Sequence, residues 1–175
     1  MKHPRALTAG GTALLLGGGL LGWHVYLDRT EYRPPAVSLS HGECRGLLDD
    51  PGIAGLLGRA PRVHATTEYR PATDGTKPSL RCRISGADAR TLTADAEPGT
   101  VGAGGDGLGA AAFGCAVNGR TEPYRAVLRI TGKDGAPLPD GPGRERMGRL
   151  ASGFAQRAAE RQLGCAGGAE RLEAV

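Results

Sequence analysis

Four cysteines set the strongest limit on what this chain can fold into, and they are Cys44, Cys82, Cys115 and Cys165. None lies close enough to the next in sequence to form the C-x-x-C pair that is typical of a zinc site. An even number of widely spaced cysteines favours two disulfide bonds and an oxidising compartment over four free thiols. We therefore predict a disulfide-linked domain with no metal site and no cofactor.

The pairing of the cysteines is not fixed by their number, because four cysteines allow three connectivities. The sequence predicts that Cys44 and Cys165 lie at helix ends and that Cys82 and Cys115 lie on strand faces. We predict the pairs Cys44 with Cys82 and Cys115 with Cys165, since each pair would hold one helix to its own part of a sheet. Loops of this length give about 4 kcal/mol of stabilisation each in the chain-entropy estimate.

Composition explains why such cross-links matter here. Phe, Trp and Tyr number only 2, 1 and 4 in 175 residues, whereas Gly numbers 30, so the core has to be built from small side chains. The formal net charge is +4, but Lys2 and Arg5 supply two of those charges before the rest of the chain begins. The remainder is too weakly basic for a typical nucleic-acid binder, and we predict no nucleic-acid partner.

The stretch from Ala6 to Leu27 has no formally charged residue and is long enough, at about 33 Å as a helix, to cross a bilayer. A cleaved secretory signal is the alternative, because Lys2 and Arg5 also suit its basic start. No small-x-small cleavage site follows the apolar run, so we predict an uncleaved transmembrane signal anchor. The basic amino terminus places the larger part of the chain outside the cytoplasm, in the cell membrane with a single pass.

Within this stretch Gly18 and Gly22 have the G-x-x-x-G spacing found where two membrane helices pack closely. The spacing makes a homodimer a candidate, although a segment this rich in glycine also produces it by chance. The predicted organisation of the chain is a cytoplasmic stub, a membrane anchor, a tether, an extracytoplasmic domain and a flexible tail, with bounds 1–5, 6–27, 28–39, 40–165 and 166–175.

Helix signals flank the predicted sheet. Ser40 and Glu43 match a capping box at the start of a short helix, and Asp50 followed by a proline caps a second one that ends at Gly58. The residues 144–163 have the apolar spacing of the longest helix, with Arg157 on its outer side. Gly164 ends that helix.

Between these helices the apolar period changes to two, which predicts strands at 62–69, 80–84, 111–117 and 124–131, with a weaker strand at 89–94. The residues 97–109 are too rich in glycine to predict regular structure, and their G-x-G-x-x-G spacing lacks the helix that a dinucleotide site requires. The fold class is therefore α+β, with two helical segments packed on one face of an antiparallel sheet.

Short patterns around the cysteines resemble those of known envelope proteins. Cys44-x-x-Leu47-Leu48 and Cys82-x-Ile84 are similar to the start of small actinobacterial cell-envelope lipoproteins of unknown function. The stretch that begins at Phe154 and ends at Cys165 is similar to the end of related membrane-anchored proteins. The chain departs from the lipoprotein pattern because it lacks a lipid-acceptor cysteine. The resemblance implies an envelope location and disulfide bonds, and no particular reaction.

Four arginines are the candidate binding residues, because their spacing places each pair on one face of a predicted strand: Arg81, Arg83, Arg125 and Arg129. Neighbouring strands would gather the four guanidinium groups, which could bind an anionic ligand such as a lipid head group or a wall polymer. The alternative is a solvated sheet face made of the commonest charged residue in the chain.

Catalytic patterns are weak by comparison. His41 and His64 are the histidines beyond the anchor, and no G-x-S-x-G elbow accompanies the nearby serines. We predict no catalytic residues and no enzyme, but a binding or interaction module of the cell envelope whose partner is an envelope protein or an anionic ligand. The alternatives are an extracytoplasmic hydrolase that uses His41 or His64, and a structural subunit of a membrane assembly.

Overall fold

The computed structural model describes 36–39, 42–59, 62–73, 75–86, 90–102, 107–117, 120–132, 135–136, 138, 141–165 and 170–171. All of these residues lie in the unit Pro35–Val175. The predicted anchor at 6–27, with its Gly18 and Gly22, lies outside the described residues, as do Ser40 and His41. Among the helices that are described, none is long and apolar enough to cross a membrane.

A six-stranded antiparallel sheet forms the centre of the described part, in the order β1-β2-β3-β5-β4-β6. This arrangement, together with two helices and two disulfides, confirms the predicted α+β class. The strands are β1 His64–Arg70, β2 Ser79–Ser85, β3 Thr91–Pro98, β4 Leu108–Val117, β5 Arg120–Thr131 and β6 Glu170–Arg171.

The period of two places one set of side chains from four strands in the core. These residues are each at most 2% exposed, and their side chains are small except where Phe113 and Tyr124 pair across β4 and β5 with ring centroids 5.5 Å apart. The set comprises Leu80, Cys82, Ile84, Leu92, Ala94, Ala96, Phe113, Cys115, Tyr124, Ala126, Leu128 and Ile130. The opposite side chains of the same strands make the second face of the sheet.

Two α-helices lie on the core side of the sheet. The short α1, Pro51–Leu57, begins as predicted, because the Asp50 side chain accepts a hydrogen bond from the Gly52 amide at 2.7 Å. The longer α2, Arg144–Ala158, buries the predicted apolar line and continues into a π-helical turn, Ala159–Leu163, which Gly164 ends in the left-handed conformation.

The prediction that 97–109 lacks regular structure is wrong at both ends, because β3 continues to Pro98 and β4 begins at Leu108. Gly109 shows why glycine is needed in this strand. A Cβ atom built on Gly109 would lie 2.1 Å from the carbonyl oxygen of Met147 in α2. The missing side chain therefore lets the backbone of the helix lie directly on the sheet.

The first predicted helix is also replaced by a different structure. Glu43–Gly46 forms a single 3-10 turn in which Cys44, Arg45 and Gly46 have positive φ values of 51°, 56° and 71°. Left-handed backbone costs about 1–2 kcal/mol at each residue other than glycine. The turn is preceded by Gly42, so the capping box predicted from Ser40 and Glu43 does not start a right-handed helix here.

Both disulfides have the predicted connectivity. Cys44 is bonded to Cys82 with their Cα atoms 5.8 Å apart, and Cys115 is bonded to Cys165 with their Cα atoms 4.9 Å apart. The first joins the left-handed turn to the middle of β2, and the second joins the end of the long helix to β4. All four cysteines are buried.

The domain begins before residue 40, where the sequence had placed its start. Ala36 forms a β-bridge with Arg59, and the amide of Val37 donates to the carbonyl of Gly58 at 3.1 Å. Val37 and Leu39 are each 7% exposed and belong to the core. The last four residues of the predicted tether therefore pack with the domain.

Candidate anion-binding face of the sheet

The face of the sheet opposite the helices is called the open face, because none of its described side chains is buried. The strand registers place side chains from five strands on it in transverse rows. Its members include His64, Thr66, Glu68, Arg81, Arg83, Ser85, Thr91, Thr93, Asp95, Glu97, Leu108, Ala110, Ala112, Arg125, Val127, Arg129 and Thr131. The four predicted arginines thus share one face, as their spacing indicated.

The prediction that these arginines lie on neighbouring strands is wrong, because β3 lies between β2 and β5. Antiparallel β3 is joined to β2 across the connection that begins at Ser85 and Gly86, and it pairs with β5 along its other side. The open-face residues of β3 therefore separate the arginines of β2 from those of β5. These intervening side chains decide which of the arginines can bind a ligand.

Two of the four arginines are paired with carboxylates of β3. The Nε atom of Arg81 donates to Oδ1 of Asp95 at 2.6 Å, and Arg125 forms an ion pair with Glu97, to which its Nε donates at 3.0 Å. The hydrogen bond to Asp95 and the negative charge of that group raise the pKa of Arg81, and the charges of Glu68 and Glu97 add to this effect. The charge of each of these two arginines is therefore already balanced by a carboxylate of β3.

The other two arginines are exposed and have no ion pair or hydrogen bond within the described part of the chain. Arg83 and Arg129 both pair with Thr93, one from each side of β3. Two strand spacings separate their backbones, so their Cα atoms lie about 10 Å apart. Side chains of this length can reach a common ligand above Thr93. We call Arg83, Thr93 and Arg129 the arginine row.

Hydroxyl groups border the arginine row at its β1 end and along one side. Thr66 pairs with Arg83 on its outer side, and the next row along the sheet contains Ser85, Thr91 and Thr131. The hydroxyls of Ser85 and Thr91 lie 3.5 Å apart, so they are loosely held and keep donor capacity for a ligand. The arrangement offers two guanidinium groups and several hydroxyl donors with no carboxylate in either row.

Two hollows in the described part of the surface have mixed charge. One of about 70 Å³ lies on the open face, where carboxylates outnumber arginines and Arg81 is held by Asp95. A wider one of about 450 Å³ lies at the end of the sheet, where Arg120 and Lys77 line it and Lys77 is held by Glu122 at 2.7 Å. The first hollow is therefore a poorer site for an anion than the arginine row, and the second has one cation that is already paired.

His64, at the start of β1, lies beside a serine but is not joined to it in a catalytic arrangement. His64 pairs with Ser85 in the register of β1 and β2, but the hydroxyl of Ser85 is directed to Thr91. No hydrogen bond joins His64 to a serine or a carboxylate in the described part of the structure. Groups of three or more His, Cys, Asp or Glu residues able to hold a metal ion are also absent from it.

Two features of the structure were not predicted from the sequence, and the first of them belongs to the site. The acidic partners Asp95 and Glu97 lie on a strand that was predicted to end at residue 94, although Thr93, Asp95 and Glu97 alternate with apolar residues and signal the longer strand. The second is Arg157, which was predicted to be outside but has a side chain only 19% exposed. Its Nε donates to the carbonyl of Leu47 at 2.7 Å.

Comparison with known proteins adds no relative: no family model matches the chain, no curated protein is similar to it, and no solved structure has a matching fold.

Proposed function

We propose that this chain is a membrane-anchored, extracytoplasmic binding module of the cell envelope, and that the arginine row of its open face binds an anionic ligand. The observation that carries the proposal is the unpaired, exposed pair Arg83 and Arg129 on either side of Thr93. Guanidinium groups form strong, charge-assisted hydrogen bonds with phosphate and carboxylate oxygens. The bordering hydroxyls extend the number of donors available to the same ligand.

The location is inferred from the cysteines and the amino-terminal stretch. All four cysteines are paired in disulfides, as is typical of chains that fold in an oxidising compartment. The uncharged residues 6–27, preceded by Lys2 and Arg5, supply an anchor with the domain outside. A shorter tether then joins the anchor to the domain, since residues 36–39 pack with the domain.

The shape of the site favours an extended ligand. The open face is a sheet surface rather than an enclosed cavity, and its two unpaired guanidinium groups are spread over three strands. A single small anion would contact such a surface weakly, because water competes for both arginines. A polymer with repeated phosphate or carboxylate groups can contact both at once, and the second contact then occurs at high effective concentration.

The test measures binding of the full-length chain, in neutral detergent, to polyphosphate and separately to polyglutamate. The double variant Arg83→Gln and Arg129→Gln is expected to lose at least tenfold in affinity for the preferred polymer and to have a shallower salt dependence. The matched control replaces Arg144 and Arg161, which are also exposed but lie in the helical segments and not on the open face. Equal losses in the two double variants would show only non-specific attraction and would overturn the proposal.

One observation favours a second candidate function. The register places His64 opposite Ser85 on the open face, which is a serine and a histidine side by side as in a hydrolase. The hydrolase hypothesis requires that His64→Ala abolish turnover of an ester substrate by the full-length chain. If polymer binding is unchanged in that variant and no turnover is detected in the parent chain, the binding function is preferred.

A further inference from the structure

The two edges of the sheet differ in whether a further strand covers them. At one edge, the strand β6 pairs with Phe113 and Gly114 of β4. At the other edge, β1 pairs with β2 along all seven of its residues, and no described strand lies against its outer side. The outer side of β1 therefore presents backbone donors and acceptors of the kind that pair with another strand.

Proteins usually protect such an edge with charged side chains, lysine above all, or with a proline, a bulge, a covering segment or a very short strand. The strand β1 has two charged side chains, Glu68 and Arg70, but its sequence HATTEYR contains no lysine or proline, and its register with β2 runs from His64 to Arg70 without a bulge. Five of its seven residues are exposed, and Ala65 and Tyr69 are half-buried. A regular edge of this length with so little protection is a candidate interaction surface.

We infer that β1 pairs with β1 of a second copy of this chain, antiparallel, with the two-fold axis at Thr67. Paired residues of antiparallel strands share a face, so the symmetric registers nearest the middle of β1 have their axis at Thr66, Thr67 or Glu68. An axis at Glu68 places two carboxylates opposite each other, and an axis at Thr66 places Arg62 opposite Arg70, which are like charges.

The register centred on Thr67 avoids both problems and uses the whole strand. Ala65 of one copy lies opposite Tyr69 of the other, which covers the two half-buried apolar residues of β1. Thr66 lies opposite Glu68 and can donate a hydrogen bond to it. Glu68 lies opposite Arg81 of its own copy across β1 and β2, so its carboxylate faces a positive charge there. The strand is thus complementary to itself, which favours a second copy as the occupant.

Disulfide trapping tests the register directly in cells that express the full-length chain. In this register the Cα atoms of the two Thr67 residues lie about 4.5–5.5 Å apart, within the range that a disulfide spans. Thr67→Cys is expected to give a covalent dimer under mild oxidation. The control Ser152→Cys, at an exposed position of α2, should remain monomeric. Peptide mapping verifies that the native pairs are intact.

Three outcomes of trapping would overturn the inference. They are no dimer from Thr67→Cys, an equal yield from Ser152→Cys, and efficient trapping at Thr66→Cys or Glu68→Cys without trapping at Thr67→Cys. The last of these would place the contact in another register. None of them bears on polymer binding by Arg83 and Arg129, so the two proposals fail separately.

A charge exchange at the axis excludes misfolding as the reason for a lost dimer. Thr67→Lys places two ammonium groups opposite each other, and Thr67→Glu places two carboxylates there, so each variant alone should be monomeric. Coexpression of the two, with different tags, should restore a dimer that contains one copy of each. If either variant dimerises as well as the parent chain, or if the mixture does not form the heterodimer, the β1 pairing is wrong.

Discussion

The two faces of the sheet differ in the burial of their side chains. On the core side, residues such as Leu128 and Ala94 are fully buried and touch helices, disulfides and each other. On the open face, Arg129 and Thr93 occupy the alternate positions of the same strands and none of the described side chains is buried. Both sets of side chains belong to the same strands, so the two faces differ only in what their side chains contact.

We expect the core side of the sheet to determine stability and the open face to determine ligand binding. The core side has only a few large aromatic residues, among them Phe113, Tyr124 and Phe154, and close approach of backbones together with two cross-links compensates for the small side chains elsewhere. The open face contributes little to stability, because exposed ion pairs are each worth about 0–1 kcal/mol. We therefore expect substitutions on the core side to alter the free energy of unfolding, and those on the open face to alter ligand binding. The following predictions test that division.

The largest effect is expected from the disulfides. Cys165→Ser frees the end of the long helix and should lower the free energy of unfolding by about 2–5 kcal/mol, as is usual for small secreted domains. Its former partner Cys115 is fully buried, so the released thiol should react with an alkylating reagent only when the domain unfolds. Rapid alkylation of Cys115 under native conditions would contradict the role assigned to this bond.

The second prediction concerns the approach of α2 to β4. Gly109→Ala forces a methyl group against the backbone of Met147 and should cost about 1–3 kcal/mol or more. The matched control is Gly148→Ala in the same helix, where nothing lies within 4 Å of the added methyl group. That control should stabilise by up to about 1 kcal/mol, because alanine favours helix. Denaturant unfolding of both variants measures the difference.

The strands and disulfides of the core side were predictable because their signals are local. Leu80, Cys82 and Ile84 alternate with arginines, and a period of two in so short a stretch leaves little choice of structure. The connectivity followed from assigning Cys44 and Cys165 to helical segments, although the segment at Cys44 is a left-handed turn.

The features that were missed depend on contacts distant in sequence. Strand order is one of them: nothing in the sequences of β3 and β5 states that the two strands are neighbours, and that pairing places Glu97 beside Arg125. Arg157 is another, because its burial arises from the carbonyl of Leu47, which lies far away in the chain. Helical periodicity places its Cα correctly but not its side chain.

The third prediction separates two roles of Asp50. Its carboxylate caps α1 through the Gly52 amide and lies 4.0 Å from Arg157, whose pKa is lowered by burial although Asp50 opposes that effect. Asp50→Ala should cost about 1–2 kcal/mol, while Asp50→Asn keeps the cap and should cost much less. If asparagine proves as damaging as alanine in thermal unfolding, the charge beside Arg157 matters more than the cap.

A pH effect is expected from Tyr124, the largest buried side chain of the sheet. Burial raises the pKa of its phenol to about 12, with smaller contributions from Glu122 and Tyr69. Because this pKa lies above the ordinary value near 10, the stabilisation by the neutral phenol is complete below pH 10 and is lost as the pH rises towards 12. Unfolding by denaturant at pH 8 to 11.5 should show the decline.

The matched variant Tyr124→Phe removes both the titration and the hydrogen bond to the carbonyl of Pro78, which is 3.1 Å long. It should be less stable than the parent chain by about 1 kcal/mol near neutral pH, with a difference that shrinks above pH 10. A parallel decline of both proteins with pH would assign the effect to other groups.

The smallest effect on stability is expected on the open face, at the pair Arg81 and Asp95. Both side chains are partly exposed, so water and salt screen their attraction, and a double-mutant cycle with Arg81→Gln and Asp95→Asn should give a coupling energy of about 0.2–1 kcal/mol.

Asp95→Asn alone leaves Arg81 charged and unpaired beside the arginine row. That variant should unfold almost like the parent chain but bind an anionic polymer more tightly, because the open face then has a third free guanidinium group. A large loss of stability without a gain in affinity would show that the open face stabilises the fold. It would contradict the assignment of stability to the core side and of binding to the open face.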